Sequence, residues 1–176
     1  MNSPHKNQVF QFETPDDSPG FLLWQVSNLW QRKMNSGLSK LGLTHVQFVL
    51  LAGIIWLRES QESVTQARLA AHTKADIMMT SKVLRALEQR GLIKRETDSK
   101  DTRAKSLTIT QEGYDLAVAA TEIVDKIDRD FFSPLGDNVK DFNSHLLSIV
   151  DTSKRCGEGV DRRDKESGKG ENINIF

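Results

Sequence analysis

One cysteine, four prolines, and no surplus of either charge sign: scarcity says much about this chain of 176 residues. Cys156 has no second cysteine to pair with, so an intrachain disulfide is excluded. It lies in a polar C-terminal stretch and reads as an incidental thiol, not a redox sensor. The longest apolar run, Phe48–Leu57, has ten residues. A membrane-spanning helix needs about 20, so this run is expected to be a buried helix. The first 17 residues are polar and contain no signal-like apolar core. With no export or anchoring signal visible, the cytoplasm is the expected compartment. His5, His45, His72 and His145 form no HxxxH or HExxH pair and none adjoins the cysteine. A metal site is therefore not expected, nor is a cofactor. No nucleophile elbow, phosphate loop or dinucleotide fingerprint is present. Glu122, Asp125 and Asp128 share helical spacing, but a solvated helix face explains them. Nothing forms a catalytic constellation, so an enzyme is not expected.

Apolar residues make up 38% and charged residues 27%, which fits a soluble globular chain. The 24 basic and 24 acidic residues cancel, which at first argues against a polyanionic partner. Their distribution argues otherwise. Residues 61–110 hold ten basic against six acidic groups, net +4, and residues 111–151 hold three against nine, net −6. A basic segment followed by an acidic one suits a protein that turns one lobe toward nucleic acid.

Residues 1–17 read as a flexible arm. Ser18-Pro19 is an N-cap followed by proline at the first helical position. Apolar residues Phe21, Leu22, Val26, Leu29, Trp30 and Met34 then recur at helical spacing, and Gly42 ends the segment. Thr44 and Gln47 match a capping box opening a helix over about 45–59 that is apolar almost all round. Such a helix is expected to be central. Thr65 caps a third helix, a break falls at Thr73–Asp76, and Asp76 caps a fourth that Gly91 ends. Leu92–Thr97 and Lys105–Thr110 alternate as hairpin strands around a charged tip. Thr110 caps a long helix to about Phe132. Pro134-Leu135-Gly136 breaks it, and a last helix follows to about Ser153. Residues 154–176 are expected to be disordered.

Two short helices joined by a tight break, then a hairpin, define a winged helix-turn-helix within a mainly α fold. A major groove about 12 Å wide admits one helix, and the second helix of such a pair enters it N-terminus first. Here that half offers Met78, Met79, Ser81 and Lys82, with Arg85 nearer the phosphates. The methionines can pack on thymine methyl groups. Thr65 and Gln66 are placed to meet phosphate at the start of the preceding helix. The hairpin tip is expected to carry Arg95, Lys100, Arg103 and Lys105, and an arginine on an extended tip fits a narrow minor groove. Asp98 and Asp101 stabilise the wing by holding an arginine in place. A winged helix can also serve as a protein-interaction module without sequence-specific DNA binding.

The stretch Leu69–Gly113 resembles the MarR family of bacterial transcriptional regulators. The phrase Leu-Glu-x-x-Gly-Leu-Ile/Val-x-Arg is present as Leu87-Glu88-Gln89-Arg90-Gly91-Leu92-Ile93-Lys94-Arg95. The wing signature Asp-x-Arg-Asp-x-Arg stands as Asp98-Ser99-Lys100-Asp101-Thr102-Arg103, with Lys100 in place of arginine. Lysine keeps the charge but loses the bidentate fork. Leu-Thr-x-x-Gly stands as Ile109-Thr110-Gln111-Glu112-Gly113. The resemblance covers about 19–154 and implies a domain over 18–153, with a DNA-binding lobe at 61–110 and dimerisation helices at 19–41 and 111–153. It implies a homodimer on a pseudo-palindromic operator, more often a repressor than an activator. Phe21, Leu22, Phe131, Phe132, Leu135, Phe142 and Leu146 are the expected interface, since they exceed what one small DNA-binding unit needs to bury. Many members resembling this chain release DNA on binding a small aromatic or phenolic anion. Trp24, Trp30, His45, Phe48 and Trp56 are candidates to line such a pocket.

Overall fold

The structure, a computed structural model, describes residues 12–59, 63–97 and 105–166, with side chains as far as Thr152. The wing-tip residues Asp98, Lys100, Asp101 and Arg103 lie outside the described residues. In chain order the elements are α1 (Pro19–Leu38), α2 (His45–Leu57), α3 (Gln66–Thr73), α4 (Ile77–Gln89), β1 (Ile93–Thr97), β2 (Lys105–Ile109), α5 (Gln111–Phe132) and α6 (Val139–Glu166). The chain forms two compact units, Met1–Phe131 and Phe132–Phe176.

Polar residues at the boundaries start the helices. Ser18, Thr44 and Thr65 accept from the amides of Phe21, Gln47 and Arg68. Asp76 and Thr110 do the same for Met79 and Gly113. Each removes one of the orphan donors of a first turn. Gly42 and Gly91 take left-handed φ values of 63° and 74° where α1 and α4 have ended.

The core of the first unit is built around α2, whose Phe48, Leu50, Leu51 and Ile54 are buried. Met34 and Leu38 from α1 meet them, with Leu69 from α3, Leu84 and Leu87 from α4, Leu92, Ile93 and Leu107 from the hairpin and Ala120 from α5. The central helix is not buried on every side, because Trp56 near its C-terminus is 69% exposed. Gly53 lets α3 come close: a Cβ there would stand 2.8 Å from Leu69 Cδ1.

β1 and β2 pair antiparallel, with Ile93 opposite Ile109 and Thr97 opposite Lys105. A third short segment joins them. The Leu107 amide donates to the Val64 carbonyl at 2.8 Å, and Thr65 bridges Ser106. Residues 63–65 therefore edge the hairpin, tying the start of α3 to the wing.

Three boundaries differ from the sequence expectation. Thr14 to Asp17 does not read as loose arm: the Thr14 amide and hydroxyl both donate to Asp17 Oδ2, at 3.0 and 2.8 Å, around a 3-10 turn at Pro15–Asp17. Near Phe132 a 3-10 segment, Ser133–Asn138, replaces a plain break, with Gly136 at φ 54°. α6 runs to Glu166, beyond the expected end at Ser153.

Candidate nucleic-acid interface

The break between α3 and α4 is closed by short-range bonds. Lys74 adopts a left-handed φ of 54°, and the Ala75 amide donates to the Ala70 carbonyl at 3.1 Å. Thr73 Oγ1 donates to the Leu69 carbonyl at 2.9 Å. α4 then starts on Asp76, and the Thr80 hydroxyl, wholly buried, donates to the Asp76 carbonyl at 2.8 Å. Thr80, Leu84 and Leu87 face inward. The opposite face presents Ile77, Met78, Met79, Lys82 and Arg85 to solvent, with Ser81 half-buried between.

Thr65 and Gln66 are half-buried at the start of α3. Thr65 Oγ1 caps α3 by accepting from the Arg68 amide. Gln66 Oε1 accepts from Arg95 Nη2 at 3.5 Å. Arg95 is therefore not at the wing tip. It sits on β1 opposite Leu107, two residues inside the hairpin, with its buried Nε lacking a partner among the described residues. Lys105 is likewise in a strand, where its Nζ donates to Thr97 Oγ1 at 3.1 Å. Arg68 serves a scaffold role, since its Nη1 donates to the Ser63 carbonyl at 2.7 Å beside the edge segment.

Two phrases noted in the sequence acquire structural reasons. Arg90 reaches across to donate to the Gly42 carbonyl at 2.8 Å, joining the end of α4 to the α1–α2 loop. The Thr110 hydroxyl bonds the Gly91 and Leu92 carbonyls at 2.8 and 3.1 Å. Gly113 is required next to it, because a Cβ there would overlap the Leu92 carbonyl oxygen.

The five aromatic pocket candidates are not brought together. Trp30 and His45 meet edge-on with ring centroids 4.7 Å apart. Trp24 lies six residues before Trp30, a spacing that turns it off that face of α1, and it is 62% exposed and stacked on Phe21 at 5.9 Å. Trp56 is three helical turns from His45, and Phe48 is packed in the core. Two residues join this pair that the sequence pattern does not assign to it: Asp128, expected on a solvated face, and Asn35. Trp30 Nε1 donates to Asp128 Oδ1 at 2.7 Å, and the His45 amide donates to Asn35 Oδ1 at 2.9 Å. Glu122 and Asp125 are exposed, but Asp128 is half-buried, so the three do not form one solvated face. Burial lowers the His45 pKa below its ordinary value, and the Asp128 charge opposes that shift. Arg32, Lys33, Ser36, Gly37, Ile127 and Asp130 line a separate open cleft of about 410 Å3.

The expected interface residues are graded in exposure. Phe21 and Leu22 on α1 and Leu146 on α6 are exposed, and Phe131, Phe132, Leu135 and Phe142 are half-buried. Within the second unit, the Phe132 and Phe142 rings pack at 5.9 Å. Leu23 and Leu29 on α1, and Leu147 and Ile149 on α6, are also open to solvent. No single described helix is long and apolar enough to cross a membrane, and no described group of three His, Cys, Asp or Glu is placed to hold a metal ion.

A tight helix pair, an edge-paired hairpin and long flanking helices define a winged helix-turn-helix protein. Residues 43–105 match the model of the MarR family. The chain is 45% identical over 123 residues to the uncharacterized HTH-type transcriptional regulator YdcH of Bacillus subtilis (strain 168), covering 70% of this chain and 84% of that one. Among solved structures it resembles CouR from Rhodococcus jostii RHA1 bound to p-coumaroyl-CoA, at 29% identity and a TM-score of 0.68, covering 78% of this chain and 95% of that one. It also resembles the S. aureus MepR–DNA complex, at 26% identity and a TM-score of 0.67, covering 77% and 98%. The chain belongs to the MarR family of transcriptional regulators.

Proposed function

We propose that this regulator binds a pseudo-palindromic DNA operator as a homodimer in the cytoplasm, represses transcription from it, and carries out no chemical step. The observation that carries this reading is the outer face of α4. Its first turn stands free of the core while Lys82 and Arg85 flank it. Met78, Met79 and Ser81 meet base edges, and Lys82, Arg85, Thr65 and Gln66 meet phosphate. Lys100 and Arg103 extend the contact from the wing tip, held by Asp98 and Asp101. Lys105 supports the wing, and Arg95 braces its base through Gln66. The related MepR was solved with DNA, which supports the same partner here. A dimer covering a promoter excludes other proteins from it, so repression is the expected sign.

A small aromatic effector fits the same scheme. CouR was solved with p-coumaroyl-CoA. Trp30 and His45 supply an aromatic pair linking α1 and α2, and Asp128 ties that pair to α5. An effector displacing Trp30 or His45 would shift α1 against the helices that carry the DNA-binding lobe.

The test is selection of bound fragments from genomic DNA, followed by titration over salt. Phosphate contacts make log affinity fall steeply with log salt. Lys82→Ala is expected to reduce that slope by about one. Failure to select any fragment, or a complex indifferent to salt, overturns the reading in favour of a protein-interaction module.

A further inference from the structure

α4 begins with three consecutive apolar residues that the fold does not bury. Ile77 is 44% exposed, Met78 75% and Met79 37%. They occupy the first three helical positions after the Asp76 cap. A soluble protein gains nothing from large apolar side chains in water, and polar residues would serve a first turn as well. Among the described residues, the hydrogen-bonding side chains next to them in the chain are committed or set back. Asp76 accepts from the Met79 amide at 2.8 Å, Thr80 is buried, and Ser81 is half-buried. The Asp76 carboxylate also makes this helix start a poor seat for phosphate, although Lys82 and Arg85, one turn and two turns on, carry the charge that draws DNA.

The floor of the major groove offers one apolar feature, the C5-methyl group of thymine. We propose that Ile77, Met78 and Met79 form a methyl-reading surface that selects thymines at the centre of each half-site, so that specificity there comes from apolar contact and not from hydrogen bonds. Methionine suits the task, because its unbranched thioether adapts to the groove. This rests on the DNA-binding reading above and adds which chemical group of the operator is recognised, and by which residues. Ile77 joins the recognition set on exposure alone; its apolar character resembles a core residue in the sequence.

The experiment uses the full chain and a duplex recovered by the genomic selection. Each thymine in the footprint is replaced in turn by uracil, which removes the methyl and keeps every hydrogen-bonding group. Affinity is expected to fall about fourfold at each thymine that meets the helix, the worth of one buried methyl. In Met78→Ala, whose side chain is too exposed to matter to folding, the uracil penalty is expected to vanish at one of those positions. Ile77→Ala is expected to erase it at a neighbouring position. Tight binding that is indifferent to uracil everywhere overturns the proposal and leaves DNA binding intact. So does a uracil penalty unchanged in the Ile77→Ala, Met78→Ala and Met79→Ala variants. No binding to any duplex overturns both readings together.

Discussion

The indole Nε1 of Trp30 donates to Asp128 Oδ1 at 2.7 Å, a side-chain bond that joins α1 to α5. A carboxylate accepting from a neutral donor in a half-buried setting is worth more than a surface bond. Trp30→Phe should lower unfolding free energy by about 1–3 kcal/mol, since it deletes the donor and leaves the charge half-buried. Asp128→Asn keeps an acceptor oxygen in place and should cost less. Urea denaturation of the three proteins checks both, and equal stability of wild type and Trp30→Phe would show that the bond contributes nothing net.

The same cluster makes stability depend on pH. Burial lowers the His45 pKa in the folded chain, while Asp128 works to raise it. A histidine with a depressed folded pKa binds fewer protons folded than unfolded. Its contribution is therefore fully present above the ordinary value of 6.5 and is lost as pH falls below it. Asp128→Asn removes the opposing influence, so His45 should titrate lower still and the acid loss should begin at the same pH but run further. Imidazole proton shifts followed by NMR from pH 8 to 5 read the order directly; a higher His45 pKa in Asp128→Asn would reverse the assignment.

Much of this architecture is legible in the residues. Caps at Ser18, Thr44, Thr65, Asp76 and Thr110, and left-handed glycines at 42 and 91, are local devices whose chemistry acts over three or four positions. The fold class follows from their order. What failed depends on distance. The edge segment at Val64 needs the Leu107 amide, 43 positions on, and the Asp128 partner lies 98 positions from Trp30. Helical spacing predicts which residues share a face of one helix, but not which face meets which. Hence aromatic character groups Trp24 and Trp56 with Trp30, whereas both are largely exposed in the structure. Charge groups Arg95 with the wing tip, whereas it stands within β1 opposite Leu107.

Two glycines with crowded Cβ positions should respond differently to alanine. At Gly113 the obstacle is the Leu92 carbonyl, a backbone atom fixed by the bonds of Thr110. Gly113→Ala should therefore force the start of α5 off the hairpin and cost about 3 kcal/mol or more. At Gly37 a Cβ would stand 2.6 Å from Ile127 Cδ1, the far end of a side chain that can turn away. Gly37→Ala should cost roughly 1 kcal/mol or less once the helix propensity of alanine is included. Thermal midpoints of both variants check the order, and a larger loss at Gly37 would refute the distinction.

The apolar residues left open on α6 bear on assembly. Leu147 is 60% exposed, so a charge there should not disturb the second unit itself. Leu147→Glu should give monomers by sedimentation if this face meets a second copy, because a buried unpaired carboxylate opposes association. Phe142→Glu should do so too, with a loss of stability as well, since Phe142 packs on Phe132. Dimers persisting in Leu147→Glu would remove this face of α6 from the interface.

Arg95 and Lys82 separate bracing from DNA contact. Arg95 is half-buried, with Nη2 toward Gln66 and Nε without a partner among the described residues. Lys82 is exposed on α4. Replacing a poorly satisfied buried cation by an apolar chain of similar length is often neutral or stabilising. Arg95→Met should therefore keep or raise the thermal midpoint and leave the salt dependence of operator binding unchanged. Lys82→Ala should leave the midpoint unchanged and flatten the salt slope by about one, the signature of a lost phosphate contact. If Arg95→Met flattened the slope as much as Lys82→Ala, Arg95 would have to leave Gln66 and turn outward when DNA binds, and the base of the wing would belong to the DNA-binding surface.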